Sequence, residues 1–421
     1  MCDTVYVGSP FAVAGRSYFA KNSDRHPEEP QMLLIAPRRA PSGSVDIGPR
    51  RFPIADSGHA YVLSKPSWIQ GGEMGVNDAG VAIGNEAVFS KIPTSKDGVL
   101  GMDILRAALS SAASGEEAVS LICRLVEGVD QGGNAAYRGR LVYSNSYLIA
   151  DPHGAYVLET AGRRWAWRAV EGRDAISNAY VIETDYKRLD AQTRKEIAPV
   201  NERAACSDEA DPGRKGKKES WRARVERPPY RRLTHADERR AALLGFTSGV
   251  PGSVNLEALL AALRWHRPSG RRGHVLNRLD SLCVHAGGLF SQASTASMVV
   301  AYEPGTQPRA VLWFTGTSYP CLSLYKPLLL ADGRFTPLWS DYDYSENTES
   351  SLSHWKRQHE WITRTRTGGL GCNPAFVQRR DQIQGELIWA ARDGLDTGDH
   401  AAAARRVDSL VREWYEGLSG W

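Results

Sequence analysis

The chain has 421 residues, of which 42% are hydrophobic and 24% are charged, and it contains 12 tryptophans and 16 tyrosines. This composition excludes a largely disordered protein, because disordered chains carry too few apolar residues to bury a core. The formal net charge of +4 is small for this length, so we expect no nucleic-acid partner.

No run of residues approaches the roughly 20 apolar side chains that a membrane span needs, and no basic segment followed by an apolar stretch opens the chain. We therefore expect a cytoplasmic protein with no membrane partner, in a reducing compartment that keeps thiols free. The six cysteines are widely separated, without a CxxC pair or a Cys/His cluster at zinc-finger spacing. From this spacing we expect no cofactor, no structural metal and no disulfide framework.

The N-terminal residues predict a β-hairpin that begins almost at the first residue. Its two β-prone runs cover residues 4–8 and 17–20, so the N-terminus is expected to lie in a sheet. The turn-forming sequence Asn-Asp-Ala-Gly at 77–80 predicts a second hairpin. Asn85 and Glu86 follow at the end of its second strand.

Apolar residues recur at intervals of three and four between positions 101 and 127, which predicts two helices. An antiparallel meander is predicted between 146 and 177. Residues from about 200 to 232 are rich in lysine and arginine and poor in apolar side chains, which is typical of a solvated, mobile insertion. The tail from 374 to 414 predicts one or two amphipathic helices.

Strands and helices alternate in blocks, without the strict βαβ order of a parallel sheet. The fold class expected from this order is α+β, with two antiparallel sheets packed face to face and helices outside. We expect one catalytic domain over residues 2–345, containing the basic insertion, and a C-terminal helical extension over residues 346–421.

Cys2 stands directly behind the initiator methionine, and its side chain is small enough for Met1 to be trimmed. Trimming would place a thiol and a free α-amine on one residue, and an amine with a pKa near 8 is a built-in general base for the thiol. Position alone does not distinguish this role from an incidental residue at a frayed terminus.

A polar cluster at residues 21–25 follows the second strand of the predicted hairpin. If that strand pairs back onto the first, the cluster and Cys2 leave the sheet on the same side. Asp24 could then orient the amine, and Lys21 or Arg25 could lower the thiol pKa through nearby positive charge. A polar turn dense in charge accounts for the same composition.

Several sequence blocks together resemble the secernins, a group within the peptidase C69 dipeptidase family of N-terminal-nucleophile hydrolases. The resemblance rests on Cys2 and on the segments 19–25, 68–87, 100–103, 131–134, 157–160 and 314–317. It implies the four-layer αββα fold of those hydrolases, with two stacked antiparallel sheets flanked by helices.

The resemblance also implies roles for individual residues. Cys2 matches the nucleophile and Asp24 the aspartate that contacts its amine and thiol, while Lys21 stands where related acylases have arginine. Asn85, through its side chain or its backbone, and Asn178 look like the two donors of an oxyanion hole, each of which is typically worth about 10²–10³ in rate. The residues expected to contact substrate are Asn22, Arg25, Glu86 and Arg239, with Arg240 as the alternative to Arg239.

Two further sequence patterns have a structural rather than a catalytic interpretation. Cys283 and His285 point to one side of a strand at i and i+2, but such a pair is more often packing than a catalytic dyad. The glycines in the segment 131–134 lack the context of a phosphate-binding loop and indicate a tight connection.

We therefore expect a dipeptidase-like cysteine amide hydrolase that forms an acyl-enzyme on Cys2 and acts on a small peptide or amide. The alternative is a secernin-type regulatory or interaction protein without hydrolytic activity, and a third reading is an N-terminal cysteine converted into an electrophilic cap. Homo-oligomerisation is left open by the sequence.

Overall fold

A computed structural model of the chain describes residues 1–48, 50–197, 219–268, 279–287, 292–305, 308–346, 348–365 and 370–421. In chain order its strands are β1 (Cys2–Val7), β2 (Ser17–Arg25), β3 (Gln31–Ala36), β4 (Val45–Ile47), β5 (Arg50–Phe52), β6 (Tyr61–Pro66), β7 (Met74–Asn77), β8 (Ala82–Val88), β9 (Ser144–Asp151), β10 (Gly154–Ala161), β11 (Arg164–Ala169), β12 (Arg173–Ile176), β13 (Arg188–Leu189), β14 (Ala293–Tyr302), β15 (Ala310–Phe314), β16 (Lys326–Ala331) and β17 (Arg334–Pro337).

The helices complete this framework. They are α1 (Gly101–Ser111), α2 (Gly115–Gly128), α3 (Trp221–Val225), α4 (Pro228–Leu233), α5 (Ala236–Phe246), α6 (Leu256–Leu263), α7 (Glu349–Thr365), α8 (Pro374–Thr397) and α9 (His400–Gly417). The two helices predicted between 101 and 127 are confirmed, and Ser114 caps the second by accepting a hydrogen bond from the Glu117 amide. No helix in the described ranges is long and apolar enough to cross a bilayer.

Two antiparallel sheets dominate the described residues. The first has the strand order β12-β1-β2-β14-β15-β16-β17, and the second has the order β13-β11-β10-β9-β8-β7-β6-β3. The hairpin predicted at the N-terminus is confirmed, because β1 pairs with β2 and sets Cys2 opposite Ser23. The second predicted hairpin is also confirmed, since β7 pairs with β8.

The sheets pack face to face around an apolar layer that contains residues of both, among them Phe19, Val76 and Leu148. A second cluster joins α1 and α2 to the outer face of the second sheet. On the outer face of the first sheet, α5 contacts β1 and β12, α6 contacts β2 and β14, and α8 contacts β15 and β16. The expected four-layer αββα arrangement is therefore confirmed.

The interpretation of residues 200–232 as a solvated, mobile insertion is wrong for the part that the structure describes. Residues 219–232 contain α3 and most of α4, and Trp221 is fully buried with its ring against Tyr180. One buried tryptophan anchors this segment despite its many arginines. The rest of the predicted insertion, up to residue 218, lies outside the described residues.

The predicted C-terminal helices are confirmed as α8 and α9, and α7 precedes them. Since α8 packs on the first sheet, the C-terminal helices form part of the outer layer of the fold.

Candidate active site

Cys2 lies at the start of β1, in the interior of the first sheet between β12 and β2. Its side chain is 5% exposed and lines a cavity of about 90 Å³ between the two sheets. Other residues on the wall of this cavity are Met1, Asp24, Arg25, Glu73, Tyr143 and Gln292. The predicted hairpin thus holds the thiol at a cavity rather than at a frayed terminus.

Met1 extends the β1–β2 pairing by one residue. The Asp24 amide donates to the Met1 carbonyl at 2.8 Å, and the Met1 amine donates to the Asp24 carbonyl at 3.1 Å and to Gln292 Oε1 at 3.5 Å. Next to this pair, the backbone nitrogen of Cys2 donates to Asn178 Oδ1 at 2.7 Å. That nitrogen would be the α-amine of a chain from which Met1 has been removed.

Asn178 is itself held by Arg239. The Nη2 atom of Arg239 donates to Asn178 Oδ1 at 2.7 Å, while its Nη1 atom donates to Asp3 at 2.7 Å and to the Cys2 carbonyl at 3.3 Å. The guanidinium is fully buried. Since charged hydrogen bonds in a buried site are strong, this network fixes the Cys2 backbone.

The structure distinguishes Arg239 from Arg240. Arg240 is 30% exposed and pairs with Asp174 at 2.6 Å, whereas Arg239 touches Cys2, Asp3 and Asn178. Arg239 is thus the arginine that reaches the network around Cys2. It contacts the backbone of Cys2 rather than the cavity, so its geometry is that of a positioning residue and not of a substrate contact.

Asp24 lies on the face of β2 that turns away from the second sheet. Its Oδ1 atom accepts a hydrogen bond from Ser294 at 2.5 Å, and its Oδ2 atom lies 3.5 Å from Arg239 Nη1. Burial raises the pKa of Asp24 to about 6, although the chain amine and Arg239 lower it. The carboxyl group is placed beside the chain end that carries the amine.

Lys21 occupies the opposite face of β2, fully buried between the sheets. Its ammonium donates to the carbonyl of Asn85 at 2.8 Å and to Glu86 Oε1 at 3.0 Å. Burial raises the pKa of the Cys2 thiol to about 11, and the positive charge of Lys21 only partly offsets this effect. A thiol in this environment is protonated at neutral pH and needs a base to become a nucleophile.

Six predicted site residues do not line the cavity: Lys21, Asn22, Asn85, Glu86, Asn178 and Arg239. The Asn85 side chain donates to Asn145 Oδ1 at 3.0 Å, on the face of the second sheet that α1 covers. Asn22 uses both amide hydrogens on the carbonyls of Leu263 and Leu282, at 2.8 and 2.7 Å. Glu86 accepts hydrogen bonds from Lys21 and Thr4, so its carboxylate is committed to the protein interior.

These positions correct two expectations from the sequence. The side chain of Asn85 faces away from the thiol and does not reach the cavity as an oxyanion donor. Asn178 is near Cys2, but its oxygen accepts from the Cys2 nitrogen while its amide nitrogen donates to the Ala87 carbonyl at 2.9 Å. In this arrangement Asn178 orients the Cys2 backbone nitrogen.

Arg25 does line the cavity, together with a residue that sequence reasoning missed. Glu73 Oε2 lies 3.7 Å from the Cys2 sulfur, and Glu73 Oε1 accepts from Arg25 Nη1 at 3.0 Å. Arg25 also makes two bonds of 2.6 Å to Glu29. The only sequence signal for Glu73 is its place inside the segment 68–87, just before a strand. A glutamate in an ordinary turn before a strand has the same sequence pattern.

A second group of potential metal ligands, which the sequence did not predict, lies outside the Cys2 cavity. His266, Cys283, His285 and Cys321 bring four ligand atoms within 4.8 Å of one another. The sequence did not predict this cluster because its members come from three separate segments, and only Cys283 and His285 are near each other along the chain.

Residues 13–190 match the family model for acyl-coenzyme A:6-aminopenicillanic acid acyl-transferase. Among solved structures, two variants of conjugated bile acid hydrolase from Clostridium perfringens resemble the chain. One is 11% identical over 82% of this chain and 98% of its own, with a TM-score of 0.46. The other is 12% identical over 75% and 89%, with a TM-score of 0.43.

An N-acylethanolamine-hydrolyzing acid amidase ortholog from Caenorhabditis elegans is 11% identical over 71% of this chain and 92% of its own, with a TM-score of 0.35. The family match covers the segment from the β1–β2 connection to β13, which includes Lys21, Asp24, Glu73 and Asn178.

Proposed function

We propose that the chain is a cysteine N-terminal-nucleophile amide hydrolase of the secernin and C69 dipeptidase group. Removal of Met1 exposes the α-amine of Cys2, which takes the thiol proton as the sulfur attacks the carbonyl of a small peptide or amide. The C–N bond then breaks, the leaving amine takes up this proton, and the acyl group stays on the Cys2 sulfur until water releases it. The observation that carries this proposal is the hydrogen bond of 2.7 Å from the Cys2 nitrogen to Asn178 Oδ1, backed by Arg239.

The electrostatics of the thiol support a role for the amine as general base. Burial keeps the thiol protonated at neutral pH, so deprotonation requires a base within reach. An α-amine has an ordinary pKa near 8 and sits on the same residue as the thiol. Asn178 accepts from this nitrogen, which aims the amine, and the same amine would activate the water that releases the acyl group.

Tyr143 is a candidate for stabilising the charge that develops on the carbonyl oxygen. It lines the cavity with Cys2, and burial raises the pKa of its hydroxyl group, which therefore stays a hydrogen-bond donor. Donors of this kind are typically worth about 10²–10³ in rate. We assign it this role in place of the Asn85 side chain, and Tyr143→Phe tests it through kcat.

Two features support a peptide-like substrate. Met1 shows that a peptide backbone fits beside Cys2, because its amine and carbonyl pair with the backbone of Asp24. Its removal would leave these two backbone groups of Asp24 open to a substrate at the same place. In addition, the ion-paired group beside the thiol has a net formal charge of −1 when its members, Arg25, Glu29 and Glu73, are all ionised. A negative net charge favours a substrate with a free ammonium group.

The proposal is tested on the purified full-length chain. Intact-mass measurement should show loss of Met1, and a panel of dipeptides and N-acyl amino acids should reveal a substrate. Cys2→Ala should abolish turnover and Cys2→Ser should reduce it strongly, with the fold intact by circular dichroism. Cys123→Ala is the matched control, because Cys123 is a buried free cysteine on α2, in the helix layer.

Two results would overturn the proposal. Retention of Met1 in the active protein would remove the amine from Cys2, and unchanged turnover in Cys2→Ala would place the chemistry elsewhere. Absence of turnover on the whole panel, together with Met1 retention, would favour the non-hydrolytic interaction role.

A further inference from the structure

A compact group of two thiols and two imidazoles lies on the outer side of the first sheet, near the C-terminal end of α6. His285 Nε2 is 3.2 Å from His266 Nε2 and 3.1 Å from Cys321 Sγ. All four ligand atoms, including Cys283 Sγ, are within 4.8 Å of one another. Cys283 and Cys321 are buried, while both histidines are half-buried.

We propose that His266, Cys283, His285 and Cys321 bind one Zn²⁺ ion as a closed tetrahedral site. The inference does not depend on the proposed hydrolase activity, since none of the four residues lines the Cys2 cavity. A site in which the protein supplies all four ligands has no open position for water, so its role is structural.

The spacing of the ligand atoms is close to that of a tetrahedral zinc site. Bond lengths of about 2.0–2.1 Å to nitrogen and about 2.3 Å to sulfur place tetrahedral ligands about 3.3–3.8 Å apart. His285 Nε2 lies just inside this spacing from His266 Nε2 and Cys321 Sγ, at 3.2 and 3.1 Å, and all four ligand atoms lie within 4.8 Å of one another. Two thiolates and two imidazoles are the ligand types that select zinc or an iron–sulfur centre over magnesium or calcium.

Charge balance also favours a bound dication. Two thiolates with two neutral imidazoles around Zn²⁺ form a neutral unit, which can be buried without a further counter-ion. In the zinc-bound form, the two sulfurs and one nitrogen of each imidazole would all bind the ion.

Residues around the cluster hold its ligands in place. The Tyr319 ring stacks on His285 at 4.1 Å between centroids, and the Tyr319 hydroxyl accepts a hydrogen bond from Ala286 at 3.2 Å. Arg380 donates to the Cys321 carbonyl at 2.6 Å, and Arg264 donates to the Pro320 carbonyl at 3.2 Å. Supports of this kind pre-orient metal ligands.

The same cluster is linked to the environment of Cys2. Ser294 Oγ accepts from the Val284 amide at 2.9 Å and donates to Asp24 Oδ1 at 2.5 Å. Asn22 donates to the Leu263 and Leu282 carbonyls, which flank the cluster. An ion that fixes Cys283 and His285 would therefore fix the segment that orients Asp24.

The test uses the full-length chain purified from zinc-supplemented cells without chelator. Elemental analysis should give about one zinc per chain for the wild type and for Cys123→Ala, the matched control. Cys283→Ala/Cys321→Ala should lower zinc content by at least about tenfold. Exchange with Co²⁺ should give the visible bands of a tetrahedral centre with thiolate ligands.

The zinc content of the wild-type chain tests the proposal even if the double variant does not fold. Less than about 0.1 zinc per chain after zinc loading, without cobalt bands, would overturn the proposal. A Cys283–Cys321 disulfide in the native protein, detected by peptide mapping, would overturn it as well. Bands of an iron–sulfur centre in place of zinc would also reject the assignment.

Discussion

We expect the substitution Glu73→Gln to weaken recognition of a substrate's ammonium group while the Cys2 thiol stays in place. In Glu73→Gln, the cavity loses the carboxylate whose oxygen lies 3.7 Å from the Cys2 sulfur, and Arg25 keeps its two bonds to Glu29. A hydrogen bond from a charged group is worth about 1.5–3 kcal/mol, so kcat/KM on a dipeptide with a free ammonium group should fall about 10- to 150-fold. An N-acetylated dipeptide has no ammonium group and should lose much less.

The same substitution has a second effect of opposite sign. The negative charge of Glu73 is one of the causes that raise the thiol pKa, so its removal should lower that pKa and shift alkylation of Cys2 by iodoacetamide to lower pH. The assay compares both substrates in both proteins, alongside the pH profile of alkylation. Equal losses on the free and the acetylated substrate would refute the reasoning, because they would indicate a general disturbance of the cavity.

Other expected outcomes concern Arg239, Lys326 and the zinc cluster. Arg239→Met leaves Asp3 and Asp24 buried without their cation, so it should lower the free energy of unfolding by about 3–5 kcal/mol in urea denaturation. Arg240→Met, at the more exposed pair with Asp174, should lower it by about 1 kcal/mol or less. Similar losses for both variants would contradict the proposed network. Burial lowers the pKa of Lys326 to about 7 in the folded chain. Between pH 7 and 10 the Lys326 amine is therefore neutral in the folded chain but protonated in the unfolded chain. The free energy of unfolding should then rise by about 1.4 kcal/mol per pH unit over this range. Lys326→Met should remove this rise, and an unchanged slope would argue that the amine stays charged. Zinc withdrawal should lower the melting temperature of the wild type and leave Cys283→Ala/Cys321→Ala unaffected.

The sequence predicted the parts of the site that depend on local pairing. The hairpin of β1 and β2 follows from short β-prone runs, and it places Asp24 beside the chain end. Asn178 lies two residues beyond the end of β12, next to the same chain end, as the resemblance implied. Contacts between neighbouring strands are therefore accessible from pattern alone.

The face of a strand was harder to predict. Asn85 and Glu86 are adjacent on β8, and a shift of one residue reverses which of them points between the sheets. The structure turns Glu86 inward to Lys21 and Asn85 outward to Asn145. A single sequence carries no signal for this choice, because both residues are polar and both are buried.

The zinc cluster was missed for a different reason. Its ligands come from the end of α6, from the segment around 283–285 and from the turn at Pro320–Leu322, which only the folded chain brings together. Spacing rules detect metal sites whose ligands are close in sequence. In this chain His266 and Cys321 are 55 positions apart.

The pairing of Met1 with Asp24 has a consequence for biosynthesis. In the folded chain the first residue is half-buried, and both its amine and its carbonyl are engaged by a strand in the sheet interior. An aminopeptidase needs an extended, accessible chain end, so the removal of Met1 that the proposed function requires would compete kinetically with closure of the hairpin. Met1 would then be removed from the nascent chain on the ribosome. Molecules that fold before this cleavage would keep Met1 and persist as a stable, unprocessed population.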